Sequence, residues 1–490
     1  MRSSWTIIEL RGTDQLYPLV TFTVLPITVL LEIFSFYVDQ PDADEDVWHT
    51  LVHVCRQWRF VVFDSPRRLN LRLLCNPKRP PKFLDIWPAL PIVIDFWAIW
   101  MLPWGSTTGI VAALKQHNRV RKINIQGIPN SLMKEFAAMK QPFPELTSLN
   151  LHSDDENVPI LPDSFLGGSA PRLRIFDLCG IPFPAVGKLL LSLRNLVALH
   201  LRSIPQPGYI SPEEVVTCLS ALTGLKVFSL GFRSPKSQVD EGTRRVPPLT
   251  RIVLPTLTKF AFKGNSEYLE DIVSLIDTPL LHYFEITFFN QLIFDTPRLH
   301  DFISRTEKIK AHYRANVRFN QGHVVVHFPP QERTADHQGL FLAIVCTSLD
   351  WQLSSLAQVC GSSFPPLYTL EYLEILSHSQ HWPDDIETTQ WLELLYPFTA
   401  VKHLVLSTRL VPFVAPALQE LAGGRVTEVL PMLQDLALEG SQRSRPVEEA
   451  IRQFIAARQL SGHPVAVIRP TFLAWQVRTW AVIENEVSDR

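Results

Sequence analysis

The sequence predicts an α/β protein in which a small helical module precedes a long array of strand–helix units. Three observations support this fold class. The chain has 490 residues, of which 46% are hydrophobic and 19% charged, so it has enough apolar surface for a large core. An apolar-x-x-apolar-x-apolar pattern recurs along most of the chain. The segment before that pattern has the apolar periodicity of short helices.

The first predicted helix begins near Pro26, because proline suits the first position of a helix, where its missing N–H costs no hydrogen bond. Apolar residues at helical spacing follow it, namely Ile27, Leu30, Leu31, Phe34 and Val38. Pro41 and the acidic run DADED then predict a loop and a negatively charged start for the next helix.

The stretch VHVCRQWRFVVF, residues 52–63, predicts a short helix with two apolar faces. One stripe comprises Trp48, Leu51, Val52, Cys55 and Val62, and the other comprises Val54, Trp58 and Val61. A surface helix needs only one apolar stripe. A helix with two is either deeply buried or packs against a second protein, and the residues alone leave both interpretations open.

The repeated pattern occurs ten times, at intervals of 23 to 32 residues within two runs. The units begin at Val120, Leu146, Leu173, Leu196, Leu225, Leu257 and Leu281, and then at Leu370, Val401 and Leu433. The 89-residue interval from Leu281, in the last unit of the first run, to Leu370, in the first unit of the second, has room for about three units.

Each unit is predicted to form a strand followed by a helix. The last two apolar positions alternate with polar ones, as in a strand with one buried face. The connecting segments, such as residues 184–192 and 212–222, are long enough for a helix. Because a single unit cannot bury its own apolar side, the units are expected to stack around a continuous core with a curved sheet. The pattern resembles the leucine-rich repeat.

The stretch from Thr287 to Leu349 lacks the pattern. Within it, ANVRFNQGHVVVHF predicts paired strands, so we expect the array to be interrupted there.

The segment upstream of the array resembles an F-box. That family has a Leu-Pro start, an amphipathic helix and then a Val-Cys-x-x-Trp-Arg helix, and this chain has Leu25-Pro26, Ile33-Phe34 and VCRQWR at residues 54–59 in the same order. The resemblance implies a three-helix domain that binds the Skp-type adaptor of a cullin ubiquitin ligase. By the family pattern, the residues that form or support the adaptor-binding face are Leu25, Pro26, Leu30, Ile33, Phe34, Val54, Cys55 and Trp58.

These patterns predict five regions. They are an unassigned segment at residues 1–20, an F-box domain at 21–68, a linker and first repeat region at 69–110, a leucine-rich-repeat-like solenoid at 111–442 that is irregular near 287–350, and a C-terminal cap or tail at 443–490.

The sequence contains no convincing pattern for catalysis, a cofactor or a metal. Its six cysteines form no CxxC pair and are expected to be reduced core residues. His49 and His53 are spaced for one helix face but lack the glutamate of a zinc-protease motif. Metal-ligand residue types also occur in a proline-containing turn, at His378, His381, Asp384 and Asp385. The acidic run at residues 154–156 is expected to be a solvated loop.

Charge and hydropathy bear on the partners. The formal net charge is −2. The predicted outward positions of the strands include the basic residues Lys122, Arg202, Lys259 and Lys263 and the acidic residues Asp177, Glu285, Glu374, Asp435 and Glu439. Since no basic stripe results, we expect no nucleic-acid partner. The uncharged runs at residues 15–31 and 96–114 are broken by proline or glycine, so we expect no membrane span.

Three functional hypotheses remain. The first is a non-catalytic substrate receptor of a cullin ubiquitin ligase, which binds an unknown protein substrate through the repeats and works in the cytoplasm, the nucleus or both. The second is a leucine-rich-repeat scaffold or signalling protein with a helical N-terminal cap. The third is a hydrolase within residues 287–350.

Overall fold

The computed structural model describes most of the chain. The described residues are 25–38, 47–76, 82–87, 89–97, 107–183, 186–235, 251–291, 293–330, 339–362, 367–377, 387–421, 425–439 and 445–468. The chain divides into two compact units. The first comprises residues 1–95 and 104–121, and the second comprises residues 96–103 and 122–490.

The first unit is largely helical. Its elements are α1 (Ile27–Val38), α2 (Trp48–Val54), α3 (Arg56–Asp64), β1 (Leu73–Cys75), α4 (Phe83–Ile86), β2 (Ile92–Trp97) and α5 (Thr108–Lys115). β1 and β2 pair in parallel, with Leu73 opposite Ile92. The helix predicted after Pro26 is confirmed as α1, and Leu30, Leu31 and Phe34 are buried as its periodicity requires.

The core of the first unit is rich in aromatic rings. Phe34 of α1 lies 4.7 Å from Trp58 of α3, measured between ring centroids. Trp48 of α2 is 1% exposed, and its indole N–H donates to the Arg72 carbonyl at 2.9 Å. Trp48 also contacts Phe63, with ring centroids 6.0 Å apart. These contacts join the three N-terminal helices and the chain that follows them into one core.

The prediction of one helix across residues 52–63 is wrong. α2 ends at Val54 and α3 begins at Arg56, because Cys55 adopts an extended backbone with φ −157° and ψ 170°. The Sγ atom of Cys55 accepts the Trp58 N–H at 3.4 Å and so caps α3. The break at Cys55 therefore divides each predicted stripe between α2 and α3, and Val61 of the second stripe is only 1% exposed.

The second unit contains the strand array. Its strands are β3 (Val120–Gln126), β4 (Ser148–His152), β5 (Ile175–Cys179), β6 (Ala198–Ile204), β7 (Val227–Phe232), β8 (Ile252–Val253), β9 (Lys259–Gly264), β10 (Ile276–Asp277), β11 (Tyr283–Phe289), β12 (Arg314–Phe319), β13 (His323–Phe328), β14 (Gly339–Val345), β15 (Tyr372–Ser377), β16 (His403–Leu406), β17 (Asp435–Leu438) and β18 (Ala466–Ile468). All except the separate β8–β10 pair join one sheet.

Helices alternate with these strands and pack against their neighbours along the array. They are α6 (Asn130–Ala138), α7 (Val186–Ser192), α8 (Pro212–Ala221), α9 (Ser266–Leu275), α10 (Pro297–Arg305), α11 (Leu349–Ser362), α12 (Thr388–Leu395), α13 (Val411–Glu420) and α14 (Arg445–Leu460). The helices predicted at residues 184–192 and 212–222 correspond to α7 and α8.

The strand register confirms the predicted repeat. All ten predicted units contain a strand, and their apolar positions lie side by side across the sheet, as Leu149, Phe176 and Leu199 do. The same row continues with stacked rings, because Phe260 lies 5.3 Å from Phe228 and 5.1 Å from Phe284 between ring centroids. These residues are buried. The predicted α/β class, with leucine-rich-repeat-like parallel strand–helix units, is therefore confirmed.

The predicted interruption is also confirmed. β12 and β13 are antiparallel, and β13 pairs antiparallel with β14. The strands β12, β13 and β14, together called the hairpin here, stay within the sheet. At one side β14 pairs in parallel with β11, and at the other side β12 pairs in parallel with β15. The array thus passes through the irregular region with its sheet continuous.

Candidate functional site

The strands of the second unit present a polar face, opposite the buried rows. The name polar face is used here for the side chains that alternate with those rows. Its central row follows the strand register through Asn124, Asn150, Asp177, His200, Ser229, Ala261, Glu285, Phe341, His327, Asn316, Glu374, Val405 and Ala437. The residue type changes at almost every step, which suits recognition of a protein surface.

Side-chain amides dominate the first part of the polar face. The Gln126 amide donates to the side-chain oxygens of Asn124 and Asn150, at 3.3 Å each. The Gln126 oxygen lies 3.1 Å from Nδ1 of His152, whose Nε2 lies 3.0 Å from a carboxylate oxygen of Asp154. This chain of contacts holds several donors and acceptors in fixed positions across β3 and β4.

An ion pair follows on the next strands. Arg202 donates to Asp177 at 2.9 Å between Nη2 and Oδ2, and Asp177 is only 7% exposed. His200 Nδ1 lies 2.9 Å from the Ser229 hydroxyl. Arg202 and Asp177 were both predicted to point outward, and the structure shows that they neutralise each other.

The hairpin places aromatic rings at the middle of the polar face. The rings of Phe341 and His327 stack at 4.0 Å with an interplanar angle of 9°. Tyr283 lies 5.3 Å from Phe341 and donates its hydroxyl to Glu285 at 2.6 Å. Lys259 lies 5.9 Å from the Tyr283 ring. Phe341 is only 6% exposed, so the surface of this part consists of the half-buried rings of His327 and Tyr283, with a cation beside the latter.

Paired charges return after the hairpin. Arg314 donates to Glu374 at 2.9 Å and lies 4.5 Å from the Tyr372 ring. His403 Nδ1 lies 2.7 Å from Asp435. Four of the five predicted outward acids thus have a basic or hydroxyl partner on the polar face.

The first unit presents a different surface. Val29, Ile33 and Phe36 lie on the side of α1 opposite its buried face, at spacings of four and three residues. They are 41%, 44% and 78% exposed. We call these three residues the α1 stripe. A helix that is apolar on both sides, with one side uncovered, is typical of a site that binds another protein.

The predicted adaptor-binding residues divide between core and surface. Leu30 and Phe34 are completely buried within the first unit, so they support a face without forming it. Ile33 and Val54 are 44% and 55% exposed, and Pro26 is exposed as well. Leu25, Cys55 and Trp58 are half-buried. Sequence reasoning missed Val29 and Phe36, although their spacing from Ile33 was visible in the sequence.

The candidate metal ligands do not assemble. Within the described residues, no group of three or more His, Cys, Asp or Glu side chains is placed to hold a metal ion. The His49 ring stacks on Trp87 at 4.7 Å, and burial together with nearby His53 lowers the pKa of His49 to about 4. The acidic loop at 154–156 is exposed, as expected. The turn with His378, His381, Asp384 and Asp385 lies outside the described residues.

The six cysteines are free thiols, and four of them are buried. Burial raises the pKa of Cys75 and Cys218 to about 11 and that of Cys360 to about 12. These three thiols are protonated near neutral pH, which makes them poor nucleophiles. Among the helices that the structure describes, none combines the length and the apolar composition needed to cross a membrane.

The chain is similar to a solved leucine-rich-repeat structure. That structure is the leucine-rich repeat-containing protein LegL7 from Legionella pneumophila, to which the chain is 14% identical, with a TM-score of 0.26. The match covers 68% of this chain and 96% of that one. No family model matches the chain, and no curated protein matches it.

Proposed function

We propose that the chain is the substrate-recognition subunit of a cullin-type ubiquitin ligase. Its N-terminal helices bind the Skp-type adaptor and, through it, the cullin scaffold. The polar face binds a protein substrate, in the cytoplasm, the nucleus or both. In this proposal the chain is not an enzyme, because its partners carry out ubiquitin transfer and it contributes proximity and orientation.

The α1 stripe is the observation that carries the proposal. Because water surrounds these side chains in the isolated chain, covering them with a partner is favourable by roughly 25 cal/mol for each Å² of apolar surface removed. Phe36 has the largest exposure, at 78%. The F-box resemblance of the same segment supports the Skp-type adaptor as the partner in this proposal.

The test is capture of a purified Skp-type adaptor by the full chain. The variant carries Ile33→Asp and Phe36→Asp, and circular dichroism checks its fold. A matched control is Tyr396→Asp, since Tyr396 is 63% exposed and lies in the second unit. We expect the double variant to bind at least about 30-fold more weakly, because interface aromatic residues contribute roughly 2–4 kcal/mol. Absence of capture by the folded wild-type chain would refute the proposal.

The alternative is a leucine-rich-repeat scaffold that binds no adaptor. The complete burial of Leu30 and Phe34 favours it, because packing within the unit gives these residues a role without any partner. The two functions differ in one measurement. A scaffold should capture no adaptor, whether α1 is wild type or carries the substitutions. Both forms of the chain should still bind a partner of the polar face.

A further inference from the structure

One part of the polar face is aliphatic and accessible to a partner. Ile175 of β5 lies opposite Ala198 of β6, and Ala198 lies opposite Val227 of β7, so the three side chains form one row across three strands. Ile175 is 43% exposed, and Ala198 and Val227 are half-buried. We call these three residues the aliphatic patch.

Cations border the aliphatic patch on two sides. Arg174 and Lys226 immediately precede β5 and β7, and both are exposed. One residue lies between them in the sheet, because the Val197 N–H donates to the Arg174 carbonyl and the Lys226 N–H donates to the Val197 carbonyl, at 2.8 Å each. Lys259 of β9 lies opposite Val227 and follows it in the row. Since neighbouring strands are about 4.8 Å apart, the three cations are spread over about 14 Å.

The charges of Arg174 and Lys226 are not used within the protein. Glu145, which precedes β4, and Asp177 of β5 each accept a hydrogen bond from another arginine. In the part of the chain that the structure describes, no hydrogen bond or ion pair engages the side chain of Arg174 or Lys226. This part of the polar face therefore has positive charge available for an anionic partner.

We propose that the aliphatic patch and its bordering cations bind an acidic segment of a protein, in which an aliphatic side chain lies between the acids. This inference rests on the proposed function, because it assigns that segment to the substrate. Carboxylates of the segment pair with Arg174 and Lys226, and its aliphatic side chain packs on Ile175. An extended chain advances about 3.3 Å per residue, so roughly four residues span the distance from Arg174 to Lys259.

The aliphatic patch favours a protein over a nucleic acid as the partner. Proteins that bind single-stranded nucleic acids without sequence preference combine a basic groove with aromatic side chains on which the bases stack. The side chains between Arg174 and Lys226 are instead aliphatic, namely Val197 and Ala198. An acidic peptide with a leucine or isoleucine matches both the charge and the apolar surface of this row.

The test measures binding of the full chain to labelled probes by fluorescence anisotropy at low and high salt. The main probe is a fluorescein-labelled peptide with four Glu-Glu-Leu repeats. Two comparison peptides have Lys-Lys-Leu or Glu-Glu-Gly repeats, which change only the charge or only the aliphatic residue. A fluorescein-labelled oligouridylate represents the nucleic-acid alternative.

Two variants remove the two parts of the site separately. One carries Arg174→Glu with Lys226→Glu, and the other carries Ile175→Ser. Circular dichroism and thermal unfolding verify that each variant is folded. The matched controls, at exposed positions elsewhere in the second unit, are Lys134→Glu with Lys140→Glu, and Leu460→Ser.

We expect the wild-type chain to prefer the Glu-Glu-Leu peptide and to bind it more weakly as salt rises. The double charge variant should bind this peptide about tenfold more weakly or worse, because each exposed ion pair contributes up to about a fivefold factor. Ile175→Ser should weaken binding about threefold or more, because it removes apolar contact area. The controls should stay within about twofold of wild type.

The inference is wrong if the folded wild-type chain does not bind the Glu-Glu-Leu peptide, binds a comparison peptide equally well, or binds the oligouridylate more tightly. Equal binding by wild type and the double charge variant overturns it as well. Because the peptide assay contains no adaptor, the two proposals can fail separately. A chain that captures the adaptor without binding the peptide retains the proposed function and loses this inference. A chain that binds the peptide but captures no adaptor retains the acidic-segment site and loses its role in substrate recognition.

Discussion

Glu270 makes a contact between neighbouring strand–helix repeats of the second unit, and this contact can be tested by substitution. It lies on α9, is 7% exposed and accepts the backbone N–H groups of Leu299 at 2.6 Å and Arg298 at 2.9 Å. Those N–H groups belong to the first turn of α10, where the backbone N–H groups of a helix have no carbonyl acceptor within the helix. The Glu270 carboxylate of one repeat thus caps α10 in the next repeat, at the end where the helix dipole favours negative charge.

Replacing Glu270 with alanine should lower the stability of α10 by about 2–6 kcal/mol, because two N–H groups lose their acceptor at about 1–3 kcal/mol each. Glu270→Gln keeps one acceptor oxygen and loses the charge. We expect Glu270→Gln to lower the stability of α10 by only about 1 kcal/mol, because burying a neutral amide costs less than burying an ionised carboxylate. The contrast between the two variants tests whether the acceptor atoms hold α10.

The pH dependence of this contact has a definite sign. Burial raises the pKa of Glu270, against the lowering effect of its two backbone hydrogen bonds. The folded chain therefore takes up a proton more readily than the unfolded chain. The stability gained from that proton is present below the ordinary glutamate range and is lost as pH rises through the raised pKa. Glu270→Gln should abolish this component.

Hydrogen exchange of the α10 backbone amides, followed by mass spectrometry, measures the local free energy of opening. Local measurement is preferred because a repeat array need not unfold in a single two-state step. Equal protection of α10 in wild type and Glu270→Ala would refute the capping argument. Protection lost equally across all helices would refute its local character.

Three other predictions concern stability. Phe34→Ala should destabilise the first unit by about 3–5 kcal/mol, whereas Phe36→Ala should change its stability by less than about 0.5 kcal/mol, as urea unfolding followed by tryptophan fluorescence will show. Arg458→Met should reduce exchange protection of α14 by about 3 kcal/mol, because the buried guanidinium of Arg458 donates to three backbone carbonyls. Acidification from the ordinary histidine pKa towards 4 should destabilise the first unit, because burial lowers the pKa of His49 and the folded state resists a proton that the unfolded chain accepts; thermal unfolding of His49→Gln should lack this dependence.

The repeat could be predicted because every unit solves the same packing problem. Phe260 must lie between Phe228 and Phe284 in the sheet, so the pattern fixes one apolar residue at that position in each unit. The same logic identified Leu30 and Phe34 as one face of α1. The interval between units varies without effect, because helices and loops absorb the difference outside the strands.

Two features of the first unit could not be predicted from apolar spacing. Apolar spacing runs unbroken across Cys55, with no glycine or proline to mark the break, so the extended backbone there depends on tertiary packing of Trp58 against α1. Ile33 and Leu30 are chemically alike and only about 60° apart around α1, yet Leu30 is buried and Ile33 is 44% exposed. Which side the protein buries is decided by the position of α3, which a pattern within one helix does not contain.

The irregular region shows how a break in a repeat affects the surface it interrupts. Regular units change the polar face one side chain at a time, as from Asn150 to Asp177. The irregular region instead inserts β13, which runs antiparallel to its neighbours β12 and β14. The register of β13 with β14 sets Phe341 beside His327. Because β14 still pairs with β11, these rings join the same row as the amides and charges before them. If the polar face binds a substrate as proposed, we expect selectivity to depend most on the half-buried rings of His327 and Tyr283, because Phe341 beneath them is buried.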